Sequence, residues 1–137
     1  MTWILYVVLG LTVTWVLYVL YIQLASRSAE GRPAGELARV VPGLEAAGDE
    51  AMVYCYTPAC GPCRAMTQEV EALQADYPQV FKLDISRHLA LVRGLGVRAT
   101  PTVLMLRDGR IARCVVGAKN RAYLRSLLEE TKRTPGH

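Results

Sequence analysis

The chain has 137 residues, enough for one domain of ordinary size, and its 16 basic and 12 acidic residues leave a modest net charge of +4. Neither a dense basic run nor aromatic–basic interleaving is present, which argues against nucleic acid as a partner. Four cysteines in a chain of this length exclude a disulfide-knit miniprotein.

The first 26 residues contain no charged side chain, and residues 3–24 are almost entirely apolar. As a helix, this span would reach about 33 Å, which is enough to cross a bilayer. The alternatives are a cleaved signal peptide, which needs a basic start that is absent here, and a buried core helix. We therefore predict a single-pass membrane protein with an anchor at 1–26 and lipid contact through residues 3–24.

Residues 27–48 combine serine, glycine and proline with a weak amphipathic pattern. Leu37, Val40, Val41 and Leu44 suit a helix, but Pro42-Gly43 interrupts it. The pattern predicts a linker and a short helical segment, with a weak first strand as the alternative.

Residues 49–134 alternate strand and helix patterns. Strands are predicted at 51–56, 80–85, 102–106 and 111–116, and helices at 62–76, 86–93 (capped by Ser86) and 120–132. Asp108-Gly109 is a hairpin signal between the last two strands. This order predicts an α/β domain with a mixed central sheet flanked by helices.

The motif Cys60-Gly61-Pro62-Cys63 lies between the first strand and the first long helix of this domain. Two cysteines at this spacing, in this context, are typical of a dithiol redox site. Pro62 suits the first helical turn, and Cys60 then lies at the positive end of the helix dipole, which favours the nucleophilic thiolate. We expect Cys60 to attack and Cys63 to resolve the mixed disulfide.

Three later motifs, Ala99-Thr100-Pro101-Thr102, Arg107-Asp108-Gly109-Arg110 and Val116-Gly117-Ala118, follow in an order that resembles the thioredoxin family from about Ala51 onward. The resemblance implies a thioredoxin-like fold and a redox-active Cys60–Cys63 disulfide with no further cofactor. It also implies a cis bond between Thr100 and Pro101, facing the cysteines.

The same resemblance assigns Gly61 and Pro62 to the dipeptide of reducing members, and it places Lys82 below the cysteines. The chain departs from the family pattern at four positions: Tyr54 replaces a buried aspartate, Tyr56 and Ala59 replace tryptophans, and Gln68 replaces a helix-kinking proline. We therefore expect a membrane-tethered protein-disulfide reductase. It would act on disulfide-containing proteins and be reduced again by an upstream thiol reductant.

Two other functions remain open on the sequence. Cys55, Cys60, Cys63 and Cys114 have the C-x4-C-x2-C…C spacing of plant-type [2Fe–2S] ligands, although Cys55 falls inside a buried strand. The alternative is a non-catalytic interaction module on the same fold. One CxxC supplies only two zinc ligands, so no metal site is predicted.

The charges beside the apolar span predict its orientation. Arg27, Arg32 and Arg39 follow the span, whereas residues 1–2 carry no basic side chain, so the positive-inside rule places the catalytic domain in the cytoplasm. The spare thiols Cys55 and Cys114 also suit a reducing compartment. Against this, tethered thioredoxin-like proteins often work outside the cytoplasm.

Overall fold

The structure, a computed structural model, describes residues 1–27 and 29–133. Its helices are α1 (Thr2–Arg27), α2 (Leu37–Val40), α3 (Gly61–Asp76), α4 (Leu89–Gly94) and α5 (Arg121–Arg133), and its strands are β1 (Glu50–Tyr56), β2 (Val80–Asp84), β3 (Thr102–Arg107) and β4 (Arg110–Val116). Short 3-10 turns occupy Glu45–Ala47 and Ile85–Arg87. The expected end of the domain at residue 134 lies outside the described residues.

The four strands form one mixed sheet in the order β2-β1-β3-β4. β1 pairs in parallel with β2 and antiparallel with β3, and β3 pairs antiparallel with β4 through the turn at Asp108 and Gly109. Both turn residues have positive φ, as a tight two-residue hairpin requires. The predicted α/β architecture, a mixed sheet flanked by helices, is confirmed.

Alternation along the strands gives the sheet two apolar faces. Met52 and Tyr54 of β1 face the cluster that contains the buried side chains of α3 and α5. Ala51, Val53 and Cys55 face the opposite cluster, which is completed by α4 and by the segment before β1. Every residue from Ala51 to Cys55 is buried because both faces of this central strand are covered.

The segment expected to be a linker with short helices packs against the sheet. Ala29, Ala34 and Leu37 are buried, and backbone N–H groups of Gly31 and Ala34 donate to carbonyls on the β4 side of the hairpin at 2.6 and 2.8 Å. The N–H of Ile111 in turn donates to Arg32 at 3.0 Å. An edge strand leaves such groups unpaired, and this segment supplies their partners without forming a regular strand.

The expectation that Ser86 caps the helix after β2 is wrong. The carboxylate of Asp84 accepts hydrogen bonds from the Ser86 N–H at 3.0 Å and from the Ser86 hydroxyl at 2.6 Å, which closes a 3-10 turn. α4 begins only at Leu89. Asp84 is the better cap because it offers an anionic acceptor two residues before the N–H that needs one.

α1 is not a core helix. Its apolar side chains are exposed along the span Thr2–Ala25, which is long and apolar enough to cross a membrane. Among the side chains of α1 whose burial the structure describes, only Ile22 and Ala25, in the last turns before the domain, are half-buried. The buried-helix alternative is therefore excluded for this segment.

Candidate active site

The motif cysteines lie between the end of β1 and the first turn of α3, and they form a disulfide with 5.3 Å between their Cα atoms. Cys60 is the N-cap residue, with extended backbone, and Pro62 occupies the first helical turn, where its missing N–H costs no hydrogen bond. Cys60 is partly exposed, whereas Cys63 is 2% exposed. A protein substrate can therefore reach the sulfur of Cys60 more readily than that of Cys63.

The loop before β3 lies at the same end of the sheet. Thr102, the first residue of β3, pairs with Cys55 near the end of β1, so the preceding Pro101 lies where the chain leaves β1 toward the cysteines. The Thr100–Pro101 bond is cis, and the Pro101 carbonyl accepts from the Gly117 N–H at 2.9 Å. Gly61 and Pro62 are exposed, Thr100 is half-buried and Pro101 is buried.

Tyr54 lies beneath the first turn of α3. Its side chain is fully buried, and its hydroxyl donates to the Cys63 carbonyl at 3.0 Å and lies 3.1 Å from Thr67 Oγ1. Burial raises the pKa of the Tyr54 phenol, an effect that the Thr67 hydrogen bond only partly offsets. The phenol is therefore protonated at neutral pH, where an aspartate at this position would be a base.

Lys82 of β2 lies opposite Tyr54 in the strand register. Its ammonium contacts Glu71 Oε1 of α3 at 2.6 Å, so its charge is paired at the rim of the sheet. Sequence reasoning proposed Lys82 for the site but missed Glu71 and Thr67. Thr67 follows Cys63 by one helical turn, and that spacing is the one signal that could have found it.

Cys55 and Cys114 are buried free thiols in the cluster on the face of the sheet opposite α3. Burial is the main cause that raises the pKa of Cys55 to about 12 and that of Cys114 to about 11. Across residues 1–27 and 29–133, no group of three or more His, Cys, Asp or Glu side chains could hold a metal ion. The four cysteines therefore do not converge on one site, and the geometry does not support the iron–sulfur alternative.

A CxxC disulfide at the start of a helix, beyond the end of the central strand of a mixed sheet and at the same end as a cis-proline loop, defines the class of thioredoxin-fold dithiol proteins. The sequence model of the family described as Thioredoxin matches residues 43–130, which is more than half of the chain. The chain belongs to the thioredoxin family, and its activity is that of a thiol–disulfide oxidoreductase whose redox group is the Cys60–Cys63 disulfide.

Curated relatives support this assignment. The chain is 35% identical over 86 residues to a "Disulfide bond formation protein" from Brevibacillus choshinensis, a match that covers 60% of this chain and 73% of that protein. It is 37% identical over 82 residues to the chloroplastic F-type thioredoxin of Brassica napus, which covers 57% of this chain but only 45% of the relative. The chain therefore spans less than half the length of that plant relative.

Solved structures agree on the fold. A mutant thioredoxin from Halobacterium salinarum superposes with a TM-score of 0.63 at 29% identity, covering 78% of this chain and 90% of the other. The germline-specific thioredoxin Deadhead of Drosophila melanogaster gives a TM-score of 0.57 at 30% identity, covering 64% and 86%.

Proposed function

We propose that the protein is a membrane-tethered protein-disulfide reductase in which Cys60 attacks and Cys63 resolves. The observation that carries the proposal is the difference between the two sulfurs: Cys60 is the partly exposed N-cap residue of α3, and Cys63 is buried one turn further on. A helix N-terminus stabilises a thiolate at Cys60, where an extended substrate could meet it beside Gly61, Pro62, Thr100 and Pro101.

The proposed reaction transfers two electrons through a mixed disulfide. The Cys60 thiolate attacks one sulfur of a substrate disulfide, forming a Cys60–substrate bond and releasing the other sulfur as a thiolate. The Cys63 thiolate then attacks the Cys60 sulfur, which re-forms the Cys60–Cys63 disulfide and releases the second substrate sulfur. An upstream thiol reductant returns both cysteines to the dithiol state.

Two features bear on the direction of electron flow. The Gly61-Pro62 dipeptide resembles that of reducing family members, which favours reduction. The Brevibacillus choshinensis relative carries the name of a disulfide bond formation protein, which favours the reverse.

Insulin reduction by the full chain in detergent, with dithiothreitol as donor, tests the proposal. Turnover is expected, and failure to reduce insulin together with oxidation of reduced ribonuclease would overturn the reductase assignment.

The tether is supported by α1, whose apolar side chains are exposed along most of the span Thr2–Ala25. A bilayer would take this apolar surface out of water, which is energetically favourable. We expect the full-length chain to stay with the membrane after carbonate extraction, with an intact mass that includes residues 1–26. A shortened, released chain would show that the segment is a cleaved signal sequence.

We propose that the domain faces the cytoplasm. The support is the positive-inside rule, because Arg27, Arg32 and Arg39 follow the span and residues 1–2 carry no basic side chain. Partners in that compartment are disulfide-containing proteins and a thiol reductant. Mixed disulfides trapped on the Cys63→Ser variant, which keeps the attacking sulfur, would identify them.

A further inference from the structure

The hydroxyl of Tyr54 links the central strand to the helical turn that carries the resolving cysteine. It donates to the backbone carbonyl of Cys63 at 3.0 Å, and both groups are buried. In a regular α-helix that carbonyl also accepts from the N–H four residues on, at Thr67. Thr67 contacts the same phenol through its side chain at 3.1 Å. One turn of α3 is therefore held to β1 at two adjacent points.

The phenol itself is held in place from several sides. Its ring stacks on Tyr56, with centroids 5.4 Å apart and an angle of 13° between the ring planes. In the sheet it lies between Lys82 of β2 and Val103 of β3. Packing of the ring thus sets the position of the hydroxyl. The hydrogen bond from this hydroxyl to the Cys63 carbonyl therefore holds the helix turn in place.

We propose that Tyr54 is a positioning residue for the resolving step: it fixes the turn of α3 that presents the Cys63 sulfur to Cys60, and it does not accept the Cys63 proton. This inference rests on the proposed roles of the two cysteines. In the step itself, the Cys63 thiol loses its proton to water or a buffer base, its sulfur bonds to Cys60, and the substrate sulfur leaves with the electron pair of the broken bond.

The surroundings of Tyr54 explain why it is not the acceptor. Its own proton is engaged with the Cys63 carbonyl, and the other groups on its side of the sheet are the Thr67 hydroxyl from α3, the Lys82 ammonium from β2 and Tyr56 from its own strand. Cys55, the next residue of β1, lies on the opposite face of the sheet. The carboxylate of Glu71, on α3, is paired with Lys82. Across the described residues, no carboxylate hydrogen-bonds to the phenol, so the rate of resolution should follow a single ionisation, that of Cys63.

The two steps can be timed separately in the full-length chain in detergent. The reduced protein is mixed with 5,5′-dithiobis(2-nitrobenzoate) in a stopped-flow instrument, and released thionitrobenzoate is followed by its absorbance. Attack by Cys60 releases the first equivalent, and attack by Cys63 on the mixed disulfide releases the second. The buried thiols Cys55 and Cys114 should contribute only when the chain unfolds.

The chain offers a matched control. Tyr54→Phe removes the hydroxyl beneath Cys63, and Tyr56→Phe removes a hydroxyl from the next tyrosine on the same face of β1. We expect Tyr54→Phe to slow the second phase about tenfold, as loss of one buried hydrogen bond would, and to change the first phase less than twofold. Tyr56→Phe should leave both phases unchanged. Thr67→Val should slow the second phase by a smaller factor, and it replaces Tyr54→Phe if that variant does not fold.

The pH profile separates positioning from proton transfer. The second-phase rate of the wild type should rise through one ionisation, Tyr54→Phe should keep that shape at a lower level, and Tyr54→Asp should add a second inflection. The inference is overturned if Tyr54→Phe slows both phases equally, leaves the second phase unchanged, or removes an ionisation that the wild type shows.

Failure of the proposed cysteine roles would look different. If Cys63 attacked and Cys60 resolved, Cys60→Ser would release one equivalent in the first phase and Cys63→Ser would release none in that phase, whatever the tyrosine variants do. An inability to reduce insulin would likewise leave these two phases, and the inference about Tyr54, open to measurement.

Discussion

The unequal exposure of the two motif sulfurs gives the first residue-level prediction. Cys60→Ser should lower insulin reduction to the uncatalysed rate, because the remaining cysteine of the motif, Cys63, is a residue only 2% exposed. Cys63→Ser should also stop turnover but should accumulate mixed disulfides, since Cys60 can attack and nothing resolves the product. Non-reducing gels and intact mass measure both outcomes. If mixed disulfides accumulated on the Cys60→Ser variant and not on the Cys63→Ser variant, the assigned roles of the two cysteines would be reversed.

The buried thiols give the second prediction. Folded Cys55 titrates near pH 12 and the unfolded thiol near pH 9, so deprotonation favours the unfolded chain. The stability it contributes is fully present below pH 9 and is lost as the pH rises toward 12. Cys114, with a pKa raised to about 11, and Tyr54, whose pKa is also raised, act in the same direction.

Urea unfolding at pH 8 and pH 10.5 measures this effect. The free energy of unfolding should fall over that interval in the wild type and fall less in Cys55→Ala, because the other titrating groups are common to both proteins. At pH 8 the folded chain should resist alkylation at Cys55 and Cys114. Equal pH dependence in the two proteins, or rapid alkylation of the folded chain, would contradict the burial of these thiols.

How far the site could be predicted depends on the range of the interactions involved. Cys60 and Cys63 follow from the motif and its place before a helix, because those signals are local. The sequence also showed that Tyr54 replaces an expected acid. It did not show the hydrogen bond from Tyr54 to the Cys63 carbonyl, because that bond depends on how β1 and α3 pack together. Glu71 was missed for the same reason: nothing in the sequence shows that it meets Lys82 across two elements.

At the scale of elements, the loop after α4 must pass very close to the segment that covers β4. Gly96 has φ of +92°, and a Cβ built there would lie 3.0 Å from both the Cα and the Cβ of Ala29. We expect Gly96→Ala to lower the free energy of unfolding by about 2 kcal/mol from its backbone conformation, with a further loss from the contact.

Gly94→Ala is the matched control for this prediction. Gly94 lies in the last turn of α4, and a Cβ there would meet no atom within 4 Å, so the same change should be neutral or slightly stabilising. Chemical denaturation of both variants gives the comparison. If Gly96→Ala were as stable as Gly94→Ala, the close packing of Ala29 on this loop would be wrong.

Periodicity predicted the regular elements and missed the docking of the segment before them. α3, α5 and β1 start and end close to their predicted positions because their patterns record burial on fixed faces. The residues between 29 and 47 contain scattered alanines and leucines, which become buried only when the edge of β4 and the loop at Gly96 are in place. Such burial depends on tertiary contacts that no local pattern encodes.

For the whole molecule, the charge beside the apolar helix is the main sequence signal of orientation. Arg27 ends α1, and Arg39 lies in α2 a short distance beyond, so a chain inserted by the positive-inside rule keeps its domain in the cytoplasm. Acidic residues weigh little in that rule, so Glu30 and Glu36 do not cancel the arginines.

Fusions after His137 in a bacterial host test this orientation. A fluorescent protein should be bright and alkaline phosphatase inactive, because phosphatase needs disulfides that form outside the cytoplasm. The same fusions on a chain lacking residues 2–24 provide the cytoplasmic reference. Placing lysines after Met1 while changing Arg27 and Arg39 to glutamine should shift the population toward the opposite orientation. Active phosphatase with a dark fluorescent fusion on the unaltered chain would contradict the cytoplasmic placement, and would assign the dithiol to disulfide reduction on the outer side of the membrane.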